Sequence, residues 1–204
     1  MAAVNIWLLS LALLFASSAN ATTLTLSEKE LAQVDAGRLI IHAASTKDSY
    51  VKEIHAFLRI NAPAEKVFAL ITDYAHLPSF MPHLERTEVL NQDETGAVVN
   101  YYLDLPFGVH KQYRLRLDYD KQPNRWRMSW HQWDWQGLDP EHTIADTTGY
   151  WDLKVVDAQT TLLHYYTKTD PGHVPFGLGW IVDYLTEKTV VELLENTKAK
   201  AEEQ

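Results

Sequence analysis

Apolar and polar positions alternate from Val51 to Ile60: Ile54, Ala56, Leu58 and Ile60 fall on one side, Glu53, His55 and Arg59 on the other. A period of two predicts a half-buried strand. Asn61-Ala62-Pro63 interrupts it, and Pro63 suits the first turn of a helix. Ala64 to Thr72 carries Val67, Phe68 and Ile71 at helical spacing. Asp73 to Pro82 contains Pro78 and Pro82 and reads as irregular or short helical. From Arg86 the period of two returns. Val99, Tyr101, Leu103 and Leu105 share one parity, as do Tyr113, Leu115, Leu117 and Tyr119. Trp126, Met128 and Trp130 continue the pattern, followed by Trp151, Leu153 and Val155, then Thr161, Leu163 and Tyr165. Such alternation predicts antiparallel strands with one covered and one wet face. Asp93-Glu94-Thr95-Gly96, Pro106-Phe107-Gly108 and Gln122-Pro123-Asn124 supply the turns.

After Pro171 to Pro175 the period changes to that of a helix, starting at Phe176 or Gly177. It runs for roughly 26 residues, about 39 Å. Leu178, Val182, Leu185, Thr189, Val190, Leu193 and Leu194 share a broad side, and Glu187, Lys188, Glu192, Glu195 and Lys198 the opposite one. Trp180, Tyr184 and Val191 fall on the charged side, so the first half is apolar nearly all round and needs cover on two sides. At the other end, Thr22 to Gly37 reads as a short helix with a Ser27-x-x-Glu30 capping box and Gly37 as its stop. Leu39-Ile40-Ile41 is a candidate edge strand. One long helix across a curved sheet is a two-layer α+β arrangement.

Composition adjusts this picture at the N-terminus. Ile6 to Ala16 is apolar apart from Ser10, and small residues follow to Ala19-Asn20-Ala21. That is the pattern of a secretory signal peptide over residues 1–21, and the run is short for a span of roughly 20 residues. An uncleaved anchor and a buried helix are the alternatives. No charged residue precedes Glu28, so the net charge of −9 belongs to the folded part. An acidic chain is a poor partner for nucleic acid and for stable docking on anionic lipid. Cysteine is absent, which excludes disulfides and thiolate chemistry.

Several segments resemble the START and polyketide-cyclase-like helix-grip superfamily. Ile60-Asn61-Ala62-Pro63-Ala64-Glu65-Lys66-Val67-Phe68 is similar to its strand-to-helix junction. Ile71-Thr72-Asp73-Tyr74 with Leu77-Pro78-Ser79-Phe80-Met81-Pro82, Gly149-Tyr150-Trp151-Asp152-Leu153, and Thr160-Thr161-Leu162-Leu163-His164-Tyr165 resemble further family segments, and Pro175-Phe176 is similar too. The resemblance covers residues 51–204 and leaves 22–50 as an N-terminal extension. It implies a curved antiparallel sheet of about six or seven strands wrapped around the C-terminal helix. It also implies an internal site for a hydrophobic molecule such as a lipid, sterol, quinone or polyketide.

On that reading the pocket lining is Tyr101, Leu103, Tyr113, Leu115, Trp130, Trp151, Tyr165, Leu178, Val182 and Leu185. Phe80, Met81, Phe107, Phe176 and Trp180 are the candidates for its mouth. Inward Tyr and Trp suit a mostly apolar cavity with a few hydrogen-bonding points, and they equally suit a solid core. The expected protein is an exported, periplasmic, monomeric binder of a hydrophobic small molecule or lipid. It makes transient membrane contact and uses no nucleic acid, cofactor or metal. The histidines lack H-E-x-x-H spacing, and no G-x-S-x-G elbow or phosphate loop occurs. A cyclase- or isomerase-like enzyme is the alternative, with Tyr101, Tyr113 and Tyr165 as the inward polar groups. A third reading uses Trp133 and Trp135, whose parity opposes that of Trp126 and Trp130. Exposed, they suit a sugar or protein partner; packing against residues 22–50 is the preferred explanation.

Overall fold

The computed structural model describes residues 26–45, 50–174, 176 and 179–203, with backbone alone at 180, 181 and 183–186. The segment read as a signal peptide, and Leu178, lie outside them. Ser27 caps α1 (Glu28–Asp35) through a complete capping box with Glu30, and Gly37 follows at φ +81°. Strand β1 (Ile40–Ser45) forms an edge hairpin with β2 (Lys52–Ile60), pairing His42 with His55. Helix α2 (Ala64–Thr72) and a 3-10 turn at Tyr74–Ser79 come next. A continuous meander then runs through β3 (Leu84–Gln92), β4 (Gly96–Leu105), β5 (Val109–Gln122), β6 (Arg125–Gln132), β7 (Asp146–Asp157) and β8 (Thr160–Asp170). Helix α3 (Gly179–Glu202) closes the chain.

Among the described residues, all pairings between these strands are antiparallel, and the eight strands lie in the order β1-β2-β8-β7-β6-β5-β4-β3. The sheet has slightly more strands than the six or seven expected. The outermost strand β3 explains the difference, because it is held by backbone pairing to β4 and exposes most of its side chains, which leaves no alternation to read.

One core joins the inward positions of the sheet to the helices. Ile54, Leu58, Ile60, Leu153 and Leu163 meet Val67, Phe68 and Ile71 of α2 and Val190, Leu193, Leu194 and Ala201 of α3. Each large apolar side chain buried there contributes roughly 1.5–3 kcal/mol. Polar tethers set the position of the second half of α3. Lys198 Nζ donates to the Arg59 carbonyl at 3.0 Å, Asn196 Nδ2 donates to the Phe80 carbonyl at 2.9 Å, and the Asn61 N–H donates to Glu202 at 2.7 Å. Thr161 is fully buried without cost because its hydroxyl donates to the Ala62 carbonyl at 2.8 Å.

On the convex face α1 packs on β2. Phe57, of outward parity, is buried there, its ring stacked on His164 at 4.3 Å. The tryptophan pair departs from the preferred expectation. Trp133 is 47% exposed, and Trp135 packs edge-on to Tyr102 with the Arg114 guanidinium 4.8 Å above its ring. These partners belong to β4 and β5, far along the sheet from the β1 edge where the described part of the N-terminal extension, residues 26–45, lies. Strand β6 ends at Gln132, so strand parity no longer dictates where the next side chains point.

Candidate functional site

A partly open cavity of about 190 Å³ lies inside the grip. Its floor comes from inward positions of β4 to β8: Tyr101, Leu103, Tyr113, Leu115, Leu117, Met128, Trp130, Thr147, Trp151, Tyr165, Thr167 and Thr169. Ile71 of α2, Leu77, Phe80 and Met81 of the turn after it, Ile144, and Leu193 and Thr197 of α3 complete the lining. The period-two register puts these side chains on one face. Tyr101 and Tyr113 are cross-strand partners and stack at 5.4 Å with an interplanar angle of 5°. Tyr165 packs 5.0 Å from Trp151 and 5.7 Å from Trp130.

Gly149 makes room for that wall. A Cβ there would lie 2.3 Å from the Trp130 ring and 2.2 Å from the Tyr166 carbonyl oxygen. Any side chain would push Trp130 into the cavity or open the β7–β8 pairing.

Polar groups at the wall are neutral. Burial raises the phenols of Tyr101, Tyr113 and Tyr165 above their ordinary pKa, so they stay protonated and act as hydrogen-bond donors. Tyr74, raised by burial and by neighbouring Tyr101, shares a 2.5 Å hydrogen bond with Tyr119 behind the wall. Three threonine hydroxyls converge at one end: Thr147 and Thr169 lie 2.9 Å apart, Thr169 and Thr167 3.2 Å. The Trp130 indole N–H donates to Thr147 at 3.4 Å.

Seven of the lining residues named from sequence meet at this cavity: Tyr101, Leu103, Tyr113, Leu115, Trp130, Trp151 and Tyr165. Phe80 and Met81, named for the mouth, form part of its wall. Phe107, in the left-handed region at φ 65°, is 73% exposed, and Phe176 is fully exposed; neither is in the lining. Val182 sits half-buried on α3, and the side chains of Trp180 and Leu185 lie outside the described set. The sequence reading missed the threonines because a hydroxyl interrupts an apolar pattern. Thr167 and Thr169 nevertheless continue the parity of Leu163 and Tyr165.

Lys111 was also missed. It is 6% exposed, and its ammonium donates to the carbonyls of Glu141, Thr143 and His173, each at 2.9 Å. Burial lowers its pKa. This joint holds the β6–β7 loop, and with it Ile144, against the segment that follows β8.

Two further clusters lie outside the cavity. On the convex face His55 Nδ1 is 3.0 Å from His164 Nε2. Burial lowers the pKa of His164 to about 4 and that of His55 below its usual value. An open groove of about 370 Å³ runs beside Trp133, Trp135, Arg114 and Gln132. Among the described residues, no group of three or more His, Asp or Glu is placed to hold a metal ion.

A family model described as polyketide cyclase / dehydrase and lipid transport matches residues 60–166, just over half of the chain. No curated protein matches significantly. Solved structures match at low identity. A STAR-related lipid transfer protein from Xanthomonas axonopodis has a TM-score of 0.70 at 18% identity, covering 81% of this chain and 94% of that one. An aromatase/cyclase, Zhui, from a Streptomyces species has a TM-score of 0.61 at 20% identity, covering 74% and 94%. Human StAR-related lipid transfer protein 5 has a TM-score of 0.64 at 9% identity, covering 85% and 91%. Likeness at these identities is a likeness of fold.

Proposed function

The chain belongs to the polyketide cyclase/dehydrase and lipid-transport family, and from that premise we propose that it is an exported carrier which shields a hydrophobic small molecule from water. The observation that carries the proposal is the cavity lined by aliphatic, aromatic and hydroxyl groups. Apolar ligand surface placed there gains roughly 25 cal/mol per Å². Drug-sized sites usually span roughly 300–1,000 Å³. A cavity of about 190 Å³ therefore suits a ring-sized molecule, or one end of a longer lipid whose remainder leaves through the open side.

A cyclase-type reaction needs an acid or base within reach of the substrate. The phenols at the described wall are held protonated, so they can polarise a carbonyl and are poor proton acceptors. That favours binding over turnover. Export rests on residues 1–21, with cleavage after Ala21.

Native mass spectrometry on protein purified from its own host, with lipid extraction, tests both parts. The expected result is a mass lacking residues 1–21 plus a stoichiometric apolar ligand. Protein that carries no ligand and takes up no small aromatic probe would sink the carrier reading. A retained N-terminal segment would sink the export reading.

A further inference from the structure

We propose that the threonine end of the cavity selects a neutral ligand bearing a hydroxyl on a ring-sized apolar body, and discriminates against carboxylates and other anions. The proposal rests on the carrier reading and narrows it.

A threonine hydroxyl has one donor hydrogen and two acceptor positions, and an indole N–H donates only. Thr147, Thr167, Thr169 and the Trp130 indole together hold four donor hydrogens and six acceptor positions, of which three of each are used in bonds among themselves. One donor and three acceptor positions remain. The Tyr165 hydroxyl is hydrogen-bonded to Thr167; with its own donor and two acceptor positions added and that bond subtracted, one donor and four acceptor positions remain. A surface richer in acceptors than donors is best completed by a group that both gives and takes a hydrogen bond. A hydroxyl does this; a carbonyl only accepts.

Placement supports a ligand role. Thr147 and Thr167 are 5% and 6% exposed, yet both line the cavity, as do Thr169 and Trp130. Thr147 and Thr169 are register partners on β7 and β8, so the rigid sheet fixes their spacing. The rest of the lining is mainly aliphatic and aromatic.

Charge decides against anions. Among the described lining residues none is cationic. A carboxylate brought here would lose its hydration and gain only neutral donors, and the cost of burying an unpaired charge far exceeds that of burying a hydroxyl with partners. Lys111 does not change this, because its three donor hydrogens are already committed to carbonyls. Size limits the body of the ligand. An apolar cavity of roughly 150 Å³ accommodates benzene, so about 190 Å³ suits one or two fused rings.

Three probes of one skeleton separate the possibilities: naphthalene, 2-naphthol and 2-naphthoate, titrated near pH 7 with tryptophan fluorescence and calorimetry. The expected order is 2-naphthol about fivefold tighter than naphthalene, the size of one net hydrogen bond. The expected affinity of 2-naphthoate is at least about tenfold below that of 2-naphthol. Thr169→Val should erase the advantage of naphthol over naphthalene by lowering naphthol affinity about fivefold. Thr169→Ser should restore it. Thr169 is only half-buried, so substitution there disturbs packing less than at the buried Thr147. Naphthalene binding as tightly as naphthol, or naphthoate binding tightest, overturns the selectivity and leaves the carrier reading intact. Failure of all three probes overturns the selectivity, and overturns the carrier reading as well if protein from its own host carries no apolar ligand.

Discussion

His164 shows how one side chain can carry both packing and a pH response. Its ring stacks on Phe57 and lies 3.0 Å from His55, with Asp152, Glu53 and Arg127 around the pair. Burial lowers its pKa to about 4 from a usual value near 6.5. At pH above 6.5 the ring is neutral in both folded and unfolded chains. As pH falls from 6.5 towards 4, the unfolded chain binds a proton that the folded chain refuses, and stability is lost across that window. His55, also lowered, acts in the same direction. Replacing His164 with Phe retains the stack and removes the titration. The expected outcome is a smaller drop in urea midpoint between pH 7 and pH 5 than in the parent protein. An equal drop would show that carboxylates elsewhere set the acid response. None of this was legible in the sequence, where His55 and His164 are isolated histidines 109 positions apart. Their contact exists only because β2 pairs with β8.

Among the elements, the long C-terminal helix and the strands were legible because their periods differ. The period of 3.6 in Val190, Leu193, Leu194 and Thr197, and the period of two in Tyr113, Leu115 and Leu117, each leave one face to bury. The joint between elements was not legible. Nothing in the sequence around Lys111 marks it as buried, since lysine is rarely so unless its ammonium is partnered. Its three carbonyl acceptors come from the β6–β7 loop and the segment after β8. Lys111→Met keeps the stem and removes the donors. It should cost about 1–3 kcal/mol through carbonyls left unsatisfied. Amide hydrogen exchange should rise first in residues 139–145 and 171–174. Unchanged exchange there would mean that the loops are held by other contacts.

At the scale of the whole molecule, binding and stability are linked. A ligand that fills the cavity binds only the folded chain. At a free concentration about 100 times its Kd it should add about 2.7 kcal/mol, a rise in Tm of roughly 5–10 °C. Thermal unfolding with and without 2-naphthol measures this directly. Trp130 and Trp151 stand in the cavity wall, so the same titration should alter tryptophan emission. A ligand that shifts emission without raising Tm would be binding folded and unfolded chains alike, and so would not be seated in the cavity.

Alternation along the chain determined the strand faces, the long helix and the two-layer grip, because period-two and period-3.6 patterns each admit one buried face. It also brought forward the aromatic half of the lining, since Tyr101, Tyr113, Trp130, Trp151 and Tyr165 share inward parity. Only the tertiary structure decided which inward residues border free space and which fill the core. Tyr119 and Trp126 have the same parity and pack on Phe68 instead, each ring centre 5.3 Å away. The difference arises from where α2 and α3 lie over the sheet, which depends on long-range packing. The threonine end, the Lys111 joint and the packing of Trp135 on Tyr102 and Arg114 follow the same rule. Each depends on which distant strands and loops become neighbours, and no local period encodes that.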